Sequence, residues 1–441
     1  MMTSEELSHF LHATSWQGSR LGLERMETLM TLLGHPEQQL RFIHVAGTNG
    51  KGSIAAMLSS ILTQAGYTTG MYTSPHLLQV NERMKINGID ISNEELLTLA
   101  ESVRPAVEEM SDPPTEFERI TAMALLYFQR RACQVVVLEV GLGGRLDATN
   151  VIPAPDATVI ANIALEHTAV LGNTLEQIAR EKAGIIKKGS SVVLYRQSPS
   201  VEAVVRDVCQ QQGASLFVTD PARGWTVSRT LEGQTLNYRD RNHLFLPLPG
   251  AYQAKNAFAA LEAVDALVRE KGYRISEEAI RRGVALVRWP GRLEVLRHDP
   301  LVLVDGAHNP DGVEALTASL KEYFSKKRLT FVMGVMADKN YVEMLRMVTP
   351  LARRFITVTP ESERALSSAQ LADQIQRQFH IPAQDGGSIS SGLSLALTLC
   401  SPEDVICVFG SLYQAGIVRE FFLGPARVEA PLNGIELEVT K

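Results

Sequence analysis

Cysteine is scarce. The 441 residues include four, Cys133, Cys209, Cys400 and Cys407, and none forms a CxxC pair or lies near a histidine at metal spacing. Cys133 and Cys407 adjoin apolar runs, so buried thiols in a reducing compartment are expected. Positive charge is not in excess: 43 Lys and Arg face 49 Asp and Glu, a net charge of −6. That excludes a general nucleic-acid binder, although local basic clusters could still hold an anionic ligand. No apolar run reaches the length of a membrane span. The opening MMTSEELSHFLHATSW is acidic and amphipathic and lacks the basic start and apolar stretch of a signal peptide. No membrane contact and a cytoplasmic location are therefore the expectation. There is no internal repeat and no low-complexity tract. There is also no GxSxG and no convincing Cys–His pair, so a covalent protein nucleophile is not expected.

What is present is ordinary in bulk and patterned in detail. Hydrophobic residues make up 45% and charged residues 21%, enough for a normal core without staples, and the length suggests two or three domains. Apolar strand candidates at 41–45, 135–140, 158–163 and 191–195 alternate with helical patterns at 53–65, 119–130 and 174–182. This rhythm predicts a largely parallel sheet covered by helices on both faces. Between 214 and 248 the pattern turns to short alternating runs, read as a small antiparallel edge sheet. Arg288-Trp289-Pro290-Gly291-Arg292 then reads as a hinge, followed by a second α/β rhythm. The predicted fold is α/β in two domains, the larger over 1–288 and the smaller over 289–441.

The strongest local signal is an apolar strand entering Gly47-Thr48-Asn49-Gly50-Lys51-Gly52-Ser53, with a helical pattern leaving it. Backbone N–H groups of such a turn, together with the helix N-terminus, form an anion cradle. Lys51 can reach the outer phosphates. The spacing departs from G-x-x-x-x-G-K-[ST], because Gly52 follows the lysine and the hydroxyl arrives at Ser53. The loop alone indicates a nucleotide and would suit a kinase or a motor ATPase equally.

Other candidates lie just beyond strand ends, where open α/β sheets bind ligands. Glu139 ends the run 135–139 and is a natural Mg²⁺ ligand beside a phosphate loop. A flexible Gly141-Leu142-Gly143-Gly144-Arg145 follows it. His167 follows the run 158–163 on the same expected rim. Ser74, in a Ser-Pro pair that reads first as a turn, offers a hydroxyl that could also ligate Mg²⁺. On pattern alone Lys182 is a helix C-terminal lysine favoured by the dipole.

Together, AGTNGKGS, YTSPHL, LEVGLGGRLDATN, EHTAVLG, REKAGI, PGR and DGAHNP occur here in the order found in folylpolyglutamate and dihydrofolate synthases of the Mur ligase superfamily. The resemblance spans nearly the whole chain and implies a P-loop-containing, parallel-sheet N-terminal ATPase domain over 1–288 and a smaller Rossmann-like α/β C-terminal domain over 289–441. It implies that Lys51 and its loop hold ATP phosphates, and that Asn256, Arg292 and Asp305 serve the nucleotide, which would lie between domains. It implies two Mg²⁺ sites, one with Ser74 and Glu139, the other with Glu139, His167 and a Lys182 carbamylated by CO₂. Leu21, Phe117, Leu146, Asp147 and Ala148 correspond to the pterin pocket, and His308 and Asn309 complete DGAHNP. His308 joins Lys51, His167 and Lys182 as a catalytic candidate, although His308 and Asn309 also read as a helix-capping turn. The chain departs from the family pattern at Glu166, where Asp is usual, and at Arg20 and Glu116 near the pterin positions. The implied activity is ATP-dependent addition of L-glutamate to dihydropteroate, to tetrahydrofolate (poly)glutamates, or to both, by a monomer acting on small molecules alone. The alternatives left open are a Mur-type amide ligase for a non-folate acid, a P-loop phosphotransferase and a non-catalytic nucleotide sensor.

Overall fold

Uninterrupted apolar runs become the inner strands of a parallel sheet, because helices cover both of their faces. The structure, a computed structural model, describes residues 2–12 and 22–424. Leu21 and Arg20 lie outside the described residues. The chain divides into two compact units, Met1–Trp289 and Pro290–Lys441.

The first unit is built on eight strands: β1 (Phe42–Ala46), β2 (Thr69–Tyr72), β3 (Met84–Ile86), β4 (Ile89–Asp90), β5 (Val135–Glu139), β6 (Ala157–Ile160), β7 (Ser191–Leu194) and β8 (Ser215–Val218). Their order is β4-β3-β2-β5-β1-β6-β7-β8. The six strands from β2 to β8 run parallel, while β3 and β4 add an antiparallel hairpin edge. The sheet is therefore mixed. Side chains of β1 alternate between two cores. Ile43 and Val45 join one apolar cluster with residues of the helices Lys51–Gln64 and Ala251–Lys271. Phe42 faces a second cluster with the helices Asn93–Glu109 and Glu116–Arg130. Both of those helices start at capping boxes, on Ser92 and Thr115.

Two expectations change here. The run SLFV, read as part of the antiparallel region, is β8 and pairs parallel to β7. Only the later strands, β9 (Gly224–Thr230), β10 (Gly233–Tyr238) and β11 (Arg241–Leu246), make an antiparallel three-stranded sheet. The run 158–163 ends as a strand at Ile160, because Asn162 turns to pair with Asn49 of the phosphate loop.

The second unit holds β12 (Glu294–His298), β13 (Leu301–Val304), β14 (Leu329–Met333), β15 (Ala352–Thr357), β16 (Ala383–Asp385) and β17 (Val405–Phe409), in the order β12-β13-β17-β14-β15-β16. All pairings are parallel except that of β12. The short β16 and the helix Ile389–Leu399 were not anticipated. A three-residue strand followed by GGSISSG carries little periodicity of either kind.

Candidate active site

Because β2, β5, β1 and β6 are adjacent and parallel, their carboxyl ends share one rim. Ser74 follows β2, Glu139 ends β5, the loop 47–53 follows β1 and His167 lies beyond β6. The loop is held in shape by close approaches. Gly50, the N-cap of the helix Lys51–Gln64, has φ 90°, and a Cβ there would stand 2.6 Å from Asn256 Oδ1. A Cβ on Gly52 would lie 2.4 Å from the Trp289 ring. Asn256 thus sits beside the loop, buried, with its Nδ2 donating to Gln253 Oε1 at 3.0 Å. Thr48 N donates to Asn162 O at 2.6 Å, and the Thr48 hydroxyl accepts from Ala164 N at 3.1 Å. Ser53 is buried in the first turn of the helix.

Two lysines converge on this loop. Lys51 Nζ donates to Thr48 O at 3.1 Å. Lys182 Nζ, buried in the last turn of the helix Leu175–Ala183, donates to Gly47 O at 2.9 Å. Burial, reinforced by the charge of Lys51, lowers the Lys182 pKa to about 7, against the opposing pull of Glu166 and Asp147. Glu139 is buried and accepts from Ser74 N at 3.2 Å. His167 stands in a left-handed conformation, φ 51°, with its Nε2 4.0 Å from Glu166 Oε1. Ser74, Glu139, Lys51 and Lys182 therefore gather on one rim.

The acceptor-pocket candidates meet next to this rim. The Phe117 ring, at the start of the helix Glu116–Arg130, lies over Gly141, where an added Cβ would stand 2.5 Å from it. Asp147 is buried and accepts from Leu142 N at 2.8 Å and from Thr149 N at 3.0 Å. Leu146 and Ala148 flank it, the latter buried. Arg145 N donates to Glu181 O at 2.8 Å, and the Arg145 guanidinium pairs with the Glu181 carboxylate. This joins the Asp147 loop to the helix that carries Lys182. Glu116 pairs with His12 Nδ1 at 3.1 Å.

In the second unit, buried Asp305 follows β13 and accepts from Leu293 N and Ala307 N, each at 2.8 Å. Arg292 lies against Gly306. His308 Nδ1 donates to Gly306 O at 2.8 Å, and Asn309 caps the helix Pro310–Tyr323 by accepting from Gly312 N at 2.8 Å. One residue was missed in the sequence. Gln414 is fully buried at the start of the helix Leu412–Leu423, and neither end of its amide has a partner. Its signal was the apolar strand and Gly410-Ser411 turn before it, the same strand–turn–helix arrangement that marks the phosphate loop.

Comparison with known proteins decides the family. The Mur ligase middle domain matches residues 45–264 and the Mur ligase glutamate ligase domain matches 291–412. The chain is 35% identical over 426 residues to the dihydrofolate synthase/folylpolyglutamate synthase of Bacillus subtilis, covering 94% of this chain and 98% of that relative. It is 36% identical to the folylpolyglutamate synthase of Lacticaseibacillus casei, covering 91% and 94%. The chain belongs to the folylpolyglutamate/dihydrofolate synthase family of Mur ligases. Among solved structures it is similar to the Mycobacterium tuberculosis folylpolyglutamate synthase complexed with ADP and AMPPCP, with TM-score 0.86, 33% identity and coverage of 95% and 98%. It is also similar to Escherichia coli FolC in complex with DHPP and ADP, with TM-score 0.83, 32% identity and coverage of 96% and 98%. Members of this family are ATP-dependent ligases. No helix among the described residues is long and apolar enough to cross a membrane.

Proposed function

We propose that this protein joins L-glutamate to dihydropteroate, to tetrahydrofolate (poly)glutamates, or to both, through an acyl phosphate, and releases ADP and phosphate. The observation that carries this reading is the rim itself, where a phosphate loop, a buried carboxylate and a buried lysine of lowered pKa stand beside the Phe117–Asp147 pocket. The substrate carboxylate attacks the γ-phosphorus and ADP departs. The glutamate amine then attacks the acyl carbon, phosphate leaves, and the amine gives up a proton. Lys51 and the amides of residues 47–53 bind and neutralise the phosphates, with Asn256, Arg292 and Asp305 assigned to the nucleotide. His308 is assigned to the reaction, with its tautomer fixed by its bond to Gly306 O. The unpartnered Gln414 amide beside a helix N-terminus suits a carboxylate of the incoming amino acid.

The donors present fit a divalent metal of the Mg²⁺ type. Among the described residues, no group of three or more His, Cys, Asp or Glu could hold a metal, so the proposed set relies on the Ser74 hydroxyl, Glu139, His167 and a carbamate on Lys182. A lysine adds CO₂ only as the neutral amine, forming a carbamate and releasing a proton. The lowered pKa of Lys182 supplies that neutral form near pH 7. Two Mg²⁺ ions held there would offset the charge of the transferring phosphoryl group. Action as a monomer in the cytoplasm is part of the same reading.

The test supplies ATP, Mg²⁺, bicarbonate and glutamate with dihydropteroate in one reaction and tetrahydrofolate in another. A mass gain of one glutamyl group, with matching phosphate release, is expected in at least one. Silence in both with ATP still bound would sink the folate reading.

A further inference from the structure

Outside the rim, His44 is a histidine with no assigned role. It lies in the middle of β1, three residues before the phosphate loop, and is fully buried. Its Nε2 is 2.9 Å from Thr149 Oγ1. The Thr149 hydroxyl in turn donates to Asp147 Oδ1 at 2.5 Å. A threonine hydroxyl has one proton. Since that proton goes to the carboxylate, the contact with His44 is made only if the histidine donates. This fixes the tautomer: Nε2 carries the hydrogen and Nδ1 does not. Nδ1 has no partner in its buried position, so the imidazole is held by a single directional bond.

We infer that His44 is a positioning residue for the acceptor pocket, acting through Thr149 on the Asp147 carboxylate. This rests on the reading of Phe117, Leu146, Asp147 and Ala148 as that pocket. Three donors fix Asp147: Leu142 N on Oδ2, and Thr149 N and Thr149 Oγ1 on Oδ1. The main-chain donor is set by the backbone, but the hydroxyl bond aims the carboxylate only if the threonine χ1 is itself fixed, and β-branching alone leaves more than one rotamer open. The His44 donor selects one. Burial also pushes the imidazole pKa down to about 3, so the donor stays neutral across the working pH range and adds no charge behind the pocket. Further along the same loop, Lys187 Nζ donates to Asn150 O at 2.8 Å and also to Ile152 O. The segment is thus anchored from both ends.

The test compares His44→Phe, His44→Gln, Thr149→Val and Asp147→Asn, measuring KM for the pterin acceptor that gains a glutamyl group, dihydropteroate or tetrahydrofolate, and for ATP separately. Phe keeps the ring and removes both the donor and the unpartnered Nδ1, so the fold should survive. The expected result is a rise of about five- to tenfold in acceptor KM for His44→Phe and Thr149→Val, with ATP KM within about twofold of the parent. Gln, which restores an N–H donor, should recover part of the loss. The His44→Phe/Thr149→Val double variant should be no worse than either single one. An unchanged acceptor KM in His44→Phe, while Asp147→Asn raises it, would overturn the relay alone. An unchanged value in Asp147→Asn would overturn the pocket reading and the relay together. Nitrogen-15 histidine spectra of the unaltered protein give a readout independent of any variant. A proton on Nε2 supports the relay, and a proton on Nδ1 with bare Nε2 overturns it.

Discussion

Glu139 and Asp305 look alike in the sequence. Each follows an apolar parallel strand and each precedes a glycine-containing turn. Their surroundings differ. Asp305 accepts from backbone amides on both oxygens, at Leu293 N and Ala307 N. Glu139 takes a longer bond from Ser74 N, which belongs to a different strand's loop, and shares its rim with two lysines. Asp305 shapes a turn, and Glu139 stands on the rim where the proposed ion and phosphates would lie. A strand-end acid is thus read by where its lone pairs go rather than by its position.

Glu139→Gln should separate the two most sharply. Its shape is kept and its charge lost, so turnover should fall by roughly 10²–10³-fold with little change in melting temperature. Phosphate release and thermal unfolding measured on the same sample check this. A melting loss as large as that of the equivalent change at Asp305 would erase the distinction.

A second contrast concerns acid. The first unit buries His44 and Lys182, both with depressed pKa values of about 3 and about 7. In the second unit, against the opposing effect of burial, hydrogen bonds from Ser401 hold the Asp404 carboxyl low, and burial pushes the Cys407 thiol up; neither group gains positive charge in acid. For His44 the unfolded value is near 6.5 and the folded value far below it. Above pH 6.5 neither state binds the proton and nothing is lost. As pH falls from 6.5 toward 3, the unfolded chain protonates first and stability drops, by about 2 kcal/mol at pH 5. His44→Phe should therefore flatten the acid limb of a melting-temperature profile relative to the parent. Parallel profiles would show that His44 opens to solvent before it protonates.

Much of this was legible because the signals were local. The loop 47–53 needed only its glycines, its lysine and the strand before it, and Glu139 needed only a run of valines. Lys182 had no such mark. Its helix reads as an ordinary amphipathic segment, and what sets it apart is burial against Gly47 O, a contact made across 135 positions of chain. The same holds for His44, whose partner Thr149 lies 105 residues away. For Gln414 the strand and turn before it were visible, but the buried amide without a partner that sets it apart has no sequence signature. The hairpin edge β3–β4 was missed because strands of three and two residues carry too little alternation to be seen.

Asp305→Asn tests the shaping role. An amide supplies one acceptor oxygen where the carboxylate supplies two, so either Leu293 N or Ala307 N loses its bond in a buried setting. The cost should be about 1–3 kcal/mol of stability, seen as earlier melting of the second unit. Because Asp305 is also assigned to the nucleotide, ATP binding is measured alongside. Full stability with weakened ATP binding would make it a ligand residue first, and the contrast with Glu139 would fail.

Asn309→Ala is the mildest of the set. Its side chain accepts from Gly312 N at the first turn of the helix Pro310–Tyr323, and removing such a cap costs about 1 kcal/mol. For a unit of this size that is a melting shift of roughly 2–4 °C. Asn309→Asp keeps an oxygen at the same place and adds a charge favoured by the helix N-terminus, so it should melt at or above the parent. If both variants hold their melting temperature while turnover drops, the DGAHNP turn contributes to chemistry through Asn309 itself. The second unit's turn would then resemble the rim of the first more closely than Asp305 suggests.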